Sequence, residues 1–347
     1  MKFLISAAGT GGHVFPALQF SKECMNNNHE IIWVGTRTGI ENKLVPQNIN
    51  LLTIPMRGFR GKNFLSKIIS LIGLVTSFFK CIFYIQKNNI DYVVCFGGYV
   101  SLPVGLSAWI CRKPLFLHEQ NAIMGSSNKI LKKFSKIIFL GFSINESVIN
   151  KMMLVGNPIK NLKIRSFINP PHDPLRVYVT GGSQGSEFIN KNVPVALNAL
   201  NMPLEVKHQS GYKKSVGVKE SYSSNISVEV KEFYDSPHDA ILWSDFIISR
   251  AGALSLSEAT SFRRGLVMIP LPSAIDNHQL LNAINISNLN MGIVHEESES
   301  IESLTNKIKN IIEKKLYVKW SKSQNNFDHF QAAGTMLSSI LKFKQNT

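Results

Sequence analysis

Apolar residues in this chain come in short unbroken runs separated by stretches with helical spacing. Residues 2–6, 30–34, 91–96, 114–117 and 136–140 each read as a strand. Hydrophobicity within these runs is continuous rather than alternating, so both faces of each strand must be covered, as in a parallel sheet. The pattern restarts after a proline-rich joint at 169–174, with runs at 176–179, 226–230, 246–248, 266–269 and 292–294. Two successive βαβ series predict an α/β protein of two Rossmann-like, doubly wound lobes facing a cleft. The joint, together with Gly156-Asn157-Pro158, places the hinge near 157–174, because prolines stop helix and sheet from continuing. The expected division is a first lobe over 1–157, a second over 158–327, and a final helix over 328–347. That helix carries Phe330, Met336, Leu337, Ile340 and Leu341 on one side, and the sequence leaves open whether it returns to the first lobe.

Two helical segments stand apart. Residues 64–84 form the most apolar stretch, yet Ser66, Ser70, Gly73, Ser77 and Lys80 recur along one stripe. Lys67 and Lys80 leave about a dozen uncharged residues between them, where a span needs about twenty, so an amphipathic helix fits better than a crossing. It is either a core helix or one that, with Arg57, Arg60 and Lys62 before it, dips into an anionic leaflet. Lys129, Lys132, Lys133 and Lys136 predict a second helix with one ammonium face and with Ile130, Leu131, Phe134 and Ile137 opposite.

Length and composition bound the rest. A chain of 347 residues suits two domains, and 44% hydrophobic with 18% charged residues suits a globular protein. Of a formal net charge of +15, residues 1–157 carry +11, from 17 Lys and Arg against 6 Asp and Glu. That lobe suits an anionic partner, although a Lys-rich composition raises the charge by itself. Cys24, Cys81, Cys95 and Cys111 lack metal or disulfide spacing and read as buried free thiols of a reducing compartment. The first apolar run is too short for a signal peptide, so a cytoplasmic location is expected.

The chemistry sits at strand ends. Gly9-Thr10-Gly11-Gly12-His13 follows the first run, Gly97-Gly98-Tyr99-Val100-Ser101 the third, and Gly181-Gly182-Ser183-Gln184-Gly185 the run at 176–179. Glycines between strand and helix let the backbone approach a phosphate with helix amides pointing at it. The first loop lacks dinucleotide spacing, which sets oxidoreductases aside. A fourth loop, Ser249-Arg250-Ala251-Gly252-Ala253-Leu254-Ser255, opens a helix bearing Glu258. Its start suits a diphosphate, and Glu258 either accepts from ribose hydroxyls or complements its own helix dipole. No Asp-x-Asp occurs, so neither a metal nor another cofactor is expected. Amides and basic side chains, with Arg250 and Lys160 as candidates, would then stabilise a leaving diphosphate. Activating a sugar hydroxyl needs a base, for which His13 and Glu119 both qualify at first-lobe strand ends.

These motifs together resemble the family of bacterial peptidoglycan N-acetylglucosaminyltransferases that turn lipid I into lipid II. The carriers, spread over essentially the whole chain, are Gly9-Thr10-Gly11-Gly12-His13-Val14-Phe15-Pro16, Arg60-Gly61-Lys62, Gly97-Gly98-Tyr99-Val100-Ser101, His118-Glu119-Gln120-Asn121, Gly156-Asn157-Pro158, Gly181-Gly182-Ser183-Gln184-Gly185, Arg250-Ala251-Gly252-Ala253 and Glu258. The resemblance implies a GT-B fold and inverting transfer from UDP-GlcNAc to the muramoyl 4-hydroxyl. It also implies a donor site of Thr10, Gly11, Gly12, Asn121, Lys160, Ser183, Tyr234, Ala253, Leu254, Ser255, Leu256, Ser257, Glu258 and Gln279. Gly97, Gly98, Tyr99 and Arg60 would meet the acceptor diphosphate, His13 would be the leading base and Glu119 its rival. The implied partners are UDP-GlcNAc, lipid I and the anionic cytoplasmic face of the cell membrane, with no nucleic acid.

Several positions depart from the pattern: Ala8 stands for a glycine, Lys160 for an arginine, Tyr234 for an aliphatic residue and His278 for a glutamine, while Arg263-Arg264-Gly265 replaces a Gly-aliphatic-Pro turn. Lysine keeps the charge at 160 but loses the bidentate fork. Two other readings stand beside the resemblance. One is a GT-B transferase with a different lipid or small-molecule acceptor. The other is a non-catalytic nucleic-acid or membrane binder, which leaves the ordered glycine loops unexplained.

Overall fold

The computed structural model describes residues 1–56, 64–144, 150–160, 171–323 and 328–345. Arg57, Arg60, Lys62 and the 169–170 part of the proline-rich joint lie outside the described residues. The chain divides into two compact units, Met1–Asn161 with Phe327–Thr347, and Leu162–Asn326.

Unit 1 runs β1 (Lys2–Ser6), α1 (Gly11–Asn26), β2 (Glu30–Thr36), α2 (Glu41–Leu44), β3 (Asn50–Ile54), α3 (Phe64–Lys87), β4 (Tyr92–Cys95), α4 (Ser101–Ile110), β5 (Leu115–Glu119), α5 (Ser126–Leu131), β6 (Ile137–Leu140) and β7 (Met152–Leu154). Unit 2 runs β8 (Leu175–Thr180), α6 (Glu187–Asn198), β9 (Leu204–Gln209), α7 (Ser215–Glu220), β10 (Ile226–Lys231), α8 (Pro237–Trp243), β11 (Phe246–Ser249), α9 (Ala253–Ser261), β12 (Gly265–Met268), α10 (His278–Asn288), β13 (Gly292–Val294), α11 (Ile301–Glu313) and α12 (Leu316–Lys322). The final helix, α13 (Ala332–Gln345), belongs to unit 1.

Every strand pairing in both sheets is parallel. The strand orders are β3-β2-β1-β4-β5-β6-β7 and β10-β9-β8-β11-β12-β13. Unbroken apolar runs form these strands because successive side chains enter opposite covered faces. Phe3, Ile5, Trp33, Val94 and Phe116 pack in one core with Met336 and Ile340 of α13, whereas Leu4, Ile32, Val93 and Leu115 pack in the other. Each sheet reverses its winding once, between β1 and β4 in unit 1 and between β8 and β11 in unit 2. The loops leaving those strand pairs diverge and open a crevice at the sheet's carboxyl edge. Cys24, Cys81 and Cys95 are buried free thiols; Cys111 is half-buried. Burial pushes the Cys81 and Cys95 thiols up to about 12, so neither is a thiolate at neutral pH.

The helix α3 reverses the usual amphipathic arrangement. Its stripe of small residues, Ser70, Gly73 and Ser77, is the buried side, continued by Cys81 and Ile85, while Ile72, Val75, Phe79 and Phe83 face outward. Steric demand explains this: a Cβ on Gly73 would stand 2.6 Å from the Pro55 carbonyl oxygen, so only small residues allow the approach. The helix is therefore only partly a core helix, with Cys81 and Ile85 in the core and most of its apolar surface outward. Among the described residues Ile69–Lys87 is long and apolar enough to cross a membrane by length and composition, with 28% of it buried.

The predicted lysine-faced helix is also corrected. The helix α5 ends at Leu131, whose carbonyl accepts from the Phe134 and Ser135 amides and closes the turn. Lys136 lies beyond it at the foot of β6, with its ammonium 5.6 Å from the Phe343 ring centre. Ile130 is exposed rather than turned inward.

Candidate functional site

In unit 1 the crevice between β1 and β4 is floored by His13. Its ring rests on the second glycine loop, where a Cβ at Gly97 would stand 3.1 Å from the imidazole, and Gly97 and Gly98 hold φ values of +83° and +75°. These glycines seat the histidine. The His13 Nδ1 lies 2.8 Å from the Phe96 carbonyl oxygen. That oxygen can only accept, so Nδ1 carries a proton, and in the neutral ring Nε2 keeps its lone pair. Nε2 makes no hydrogen bond among the described residues.

Glu119 is placed differently. Its carboxylate is 2% exposed. One oxygen accepts from the Asn121 amide (3.2 Å) and side chain (3.4 Å), the other from the Gly125 amide (2.8 Å) and Asn128 Nδ2 (2.9 Å). Four donors hold it as the knot of the turn after β5. His118, fully buried, donates from Nε2 to the Gly156 carbonyl (3.2 Å), and burial pushes its imidazole down to about 4. The Asn157 amide donates to His329 Nδ1 (2.7 Å), and Asn157 Nδ2 to the Gln120 carbonyl (3.1 Å). Gly156-Asn157-Pro158 thus braces the His118–Asn121 segment.

The first glycine loop is fixed from below by Glu41, which is fully buried. Its carboxylate accepts from the Gly9 amide (3.1 Å), the Thr36 amide (2.7 Å) and the Thr36 hydroxyl (2.8 Å). The amide of Gly9 is therefore turned away from any ligand. Those of Gly11 and Gly12 open α1 after Thr10, and no acidic side chain stands in that helix's first turn. Tyr99 lies over Gly9, its ring 3.5 Å from where a Cβ there would stand. Lys160 is exposed and belongs to unit 1. Arg60 lies outside the described residues.

In unit 2 the crevice lies between the loops after β8 and β11. Gly185 has φ +68°, and a Cβ there would stand 2.1 Å from the Ser210 carbonyl oxygen, so this glycine serves backbone packing. Ser183 is exposed on the same loop. The helix α9 follows its N-cap Gly252, again without an acidic residue in its first turn, which leaves its amide end positive. Along it Ala253, Leu256 and Ser257 point into the core, while Leu254, Ser255 and Glu258 line the open side. Glu258 has the imidazole of His238 3.4 Å from one oxygen. Arg250 is engaged by the Ile269 and Pro270 carbonyls (3.2 and 3.3 Å) and by Glu297 (2.5 Å), so its charge is met within the protein. Gln279 accepts from the Leu271 amide (3.0 Å), and Tyr234 donates to the Glu229 carbonyl (3.1 Å). The sequence assigned no role to Glu41, Gln120, Asn128 or His238. Glu41 and Asn128 carry no motif signal, whereas Gln120 sits inside a recognised run. Among the described residues no three His, Cys, Asp or Glu side chains gather closely enough to hold a metal ion.

Residues 3–140 match the glycosyltransferase family 28 N-terminal domain and residues 176–335 its C-terminal domain. The chain belongs to glycosyltransferase family 28. This glycosyltransferase is 40% identical over 295 residues to the UDP-N-acetylglucosamine–N-acetylmuramyl-(pentapeptide) pyrophosphoryl-undecaprenol N-acetylglucosamine transferase of Psychrobacter arcticus, covering 81% of each chain. It is 34% identical over 310 residues to the enzyme of the same name from Coxiella burnetii, covering 87% of each. The crystal structure of Acinetobacter baumannii MurG superposes with a TM-score of 0.83 at 29% identity, over 98% of this chain and 99% of that one. The two parallel-sheet units of the glycosyltransferase are those of the GT-B fold.

Proposed function

We propose that this chain transfers N-acetylglucosamine from UDP-GlcNAc to the 4-hydroxyl of the muramoyl unit of undecaprenyl-diphosphate-linked MurNAc-pentapeptide, converting lipid I to lipid II with inversion. The observation that carries the chemistry is the His13 ring, whose Nδ1 proton is committed to the Phe96 carbonyl while Nε2 stays open at the crevice. Such an imidazole takes a hydroxyl proton as the oxygen attacks the anomeric carbon and UDP departs. Glu119, its oxygens taken by four donors, supports the loop instead. In unit 2 the amide end of α9 receives the donor's diphosphate and Glu258 its ribose, with Ser183, Tyr234 and Gln279 around the nucleotide. Thr10, Gly11, Gly12, Tyr99, Asn121 and Lys160 complete the assignment. Aligned N–H dipoles stabilise the charge that develops on the leaving group.

The inverted helix supports docking on an anionic, cytoplasm-facing membrane surface. Phe79 and Phe83, each 64% exposed, and Trp109 and Ile110, each 51%, leave an apolar face on the unit that carries most of the positive charge. Bare apolar surface of this kind suits a lipid headgroup region. The assay is UDP release with UDP-GlcNAc and a short-chain lipid I analogue, run beside diacylglycerol and soluble aglycones. No UDP and no disaccharide with the analogue sinks the assignment, and faster release with another acceptor moves it to that acceptor. Replacing His13 with Ala is expected to lower kcat at least a hundredfold while leaving donor KM within about threefold; unaltered turnover removes the base role.

A further inference from the structure

We propose that Gln120 is a positioning residue that, with the Phe96 carbonyl, holds His13 in its tautomer. Gln120 is 1% exposed and reaches the imidazole from just past the end of β5. Gln120 Oε1 stands 3.1 Å from His13 Nδ1, so the Nδ1 proton is shared between this oxygen and the Phe96 carbonyl. The amide cannot be turned round. Its nitrogen lies 2.9 Å from the Phe96 carbonyl oxygen and 3.0 Å from His118 Nδ1, and an oxygen placed there would face one acceptor and one lone pair. The Gly156 carbonyl, which can only accept, keeps the His118 proton on Nε2 and its Nδ1 open to receive from Gln120. Two backbone carbonyls, Phe96 and Gly156, thus set the direction of every hydrogen bond between them, and Gln120 adds a second acceptor for the proton of the base.

This inference rests on the reading of His13 as the base and adds what makes it one. A neutral imidazole holds one proton on either nitrogen, and only the form with Nε2 bare can accept from a sugar hydroxyl. When it does, the hydroxyl O–H bond breaks, Nε2 gains the proton, and the oxygen's electrons form the glycosidic bond as UDP leaves with the old one. Gln120 neither gains nor loses a proton. Its oxygen stabilises the imidazolium by a neutral dipole, so His13 keeps the proton less tightly than it would beside a carboxylate. Other titratable groups on the elements around the ring are His118 and Glu119 on β5, Tyr99 ahead of α4, and Glu41 beneath the Gly9 loop. Glu119 and Glu41 spend their oxygens on Asn121, Gly125, Asn128, Gly9 and Thr36. The Gln120 oxygen is thus the side-chain acceptor that faces Nδ1.

Nitrogen-15 NMR of the His13 ring in the full chain, assigned by comparison with His13→Ala, reads the tautomer without requiring turnover. The expected spectrum has a protonated Nδ1 and a bare Nε2. Gln120→Met leaves Nδ1 with the Phe96 carbonyl alone, and is expected to raise the share of the other tautomer and to lower kcat about tenfold or more, with donor KM within about twofold. Gln120→Glu sets an ionised carboxylate, in place of a neutral dipole, beside the His13 ring. The acid limb of the kcat/KM profile is then expected to rise by about one pH unit or more. A wild-type ring protonated on Nε2 overturns the proposal whether or not any variant folds. So does a Met variant with wild-type ring signals and kcat, or an acid limb that stays in place in Gln120→Glu. If instead His13→Ala retains turnover while the ring still shows the expected tautomer, the base reading has failed and the geometric one has not.

Discussion

Lowering the pH from 7.5 to 5.0 should weaken unit 1 by an amount that the structure fixes. His118 and His329 are both buried there, and burial holds their imidazoles at about 4 and about 3. In the unfolded chain each titrates near ~6.5. Between these values the unfolded state binds protons that the folded state refuses, so stability falls as pH drops through this window and is fully present above ~6.5. At pH 5.0 each histidine is protonated in the unfolded chain and still neutral in the folded one, which costs about 2 kcal/mol per residue and about 4 together. Domains are commonly stable by about 5–15 kcal/mol, so this is a large share. Carboxylates act lower: Glu299, held at about 2 by the Lys307 ammonium and neighbouring donors, loses its contribution only below its ordinary range. Urea unfolding at pH 7.5, 6.0 and 5.0 measures the effect, with ring-proton NMR following each histidine. A midpoint that stays level or rises toward pH 5.0, or imidazole titrations near 6.5 in the folded protein, would refute the reasoning.

Three further outcomes follow from other parts of the molecule. Glu41→Gln sets an amide NH2 against the Gly9 or Thr36 amide, which should cost about 1–3 kcal/mol in urea unfolding and lower kcat/KM. Gly185→Ala drives a Cβ into the Ser210 carbonyl at a left-handed backbone position, so calorimetry should show a loss of about 2–4 kcal/mol, and a loss below 0.5 kcal/mol would contradict the packing described. Phe79→Ser with Phe83→Ser should leave stability within about 1 kcal/mol, since both rings are exposed, yet reduce co-flotation with anionic vesicles severalfold.

Most of the strand pattern was legible because these sheets are covered on both sides and write unbroken apolar runs into the chain. The strand β9 was not, since it reads Leu-Glu-Val-Lys-His-Gln. Its buried His208 is satisfied by Tyr222 and Asn190, partners invisible to periodicity. The strands β3 and β7 are short edges that bury little. Glycine loops placed the crevices, because a loop between strand and helix declares itself locally. The division of labour within them was hidden: Gly97 and Gly185 meet atoms that are distant in sequence, and so do Glu41 and Gln120. The sign of α3 was hidden for a related reason. Amphipathic spacing reveals that a helix has two faces, whereas which one is buried depends on the clearance its neighbour allows.

The placement of α13 bears on how the protein is made. His329 and the residues after it leave the ribosome after unit 2 has emerged, yet they supply the acceptor for the Asn157 amide and part of the core beneath β1. The half that carries the base must therefore wait, incomplete, while the intervening half is synthesised. During that interval its apolar underside is exposed to chaperones, and the nascent chain should not yet be able to turn over substrate.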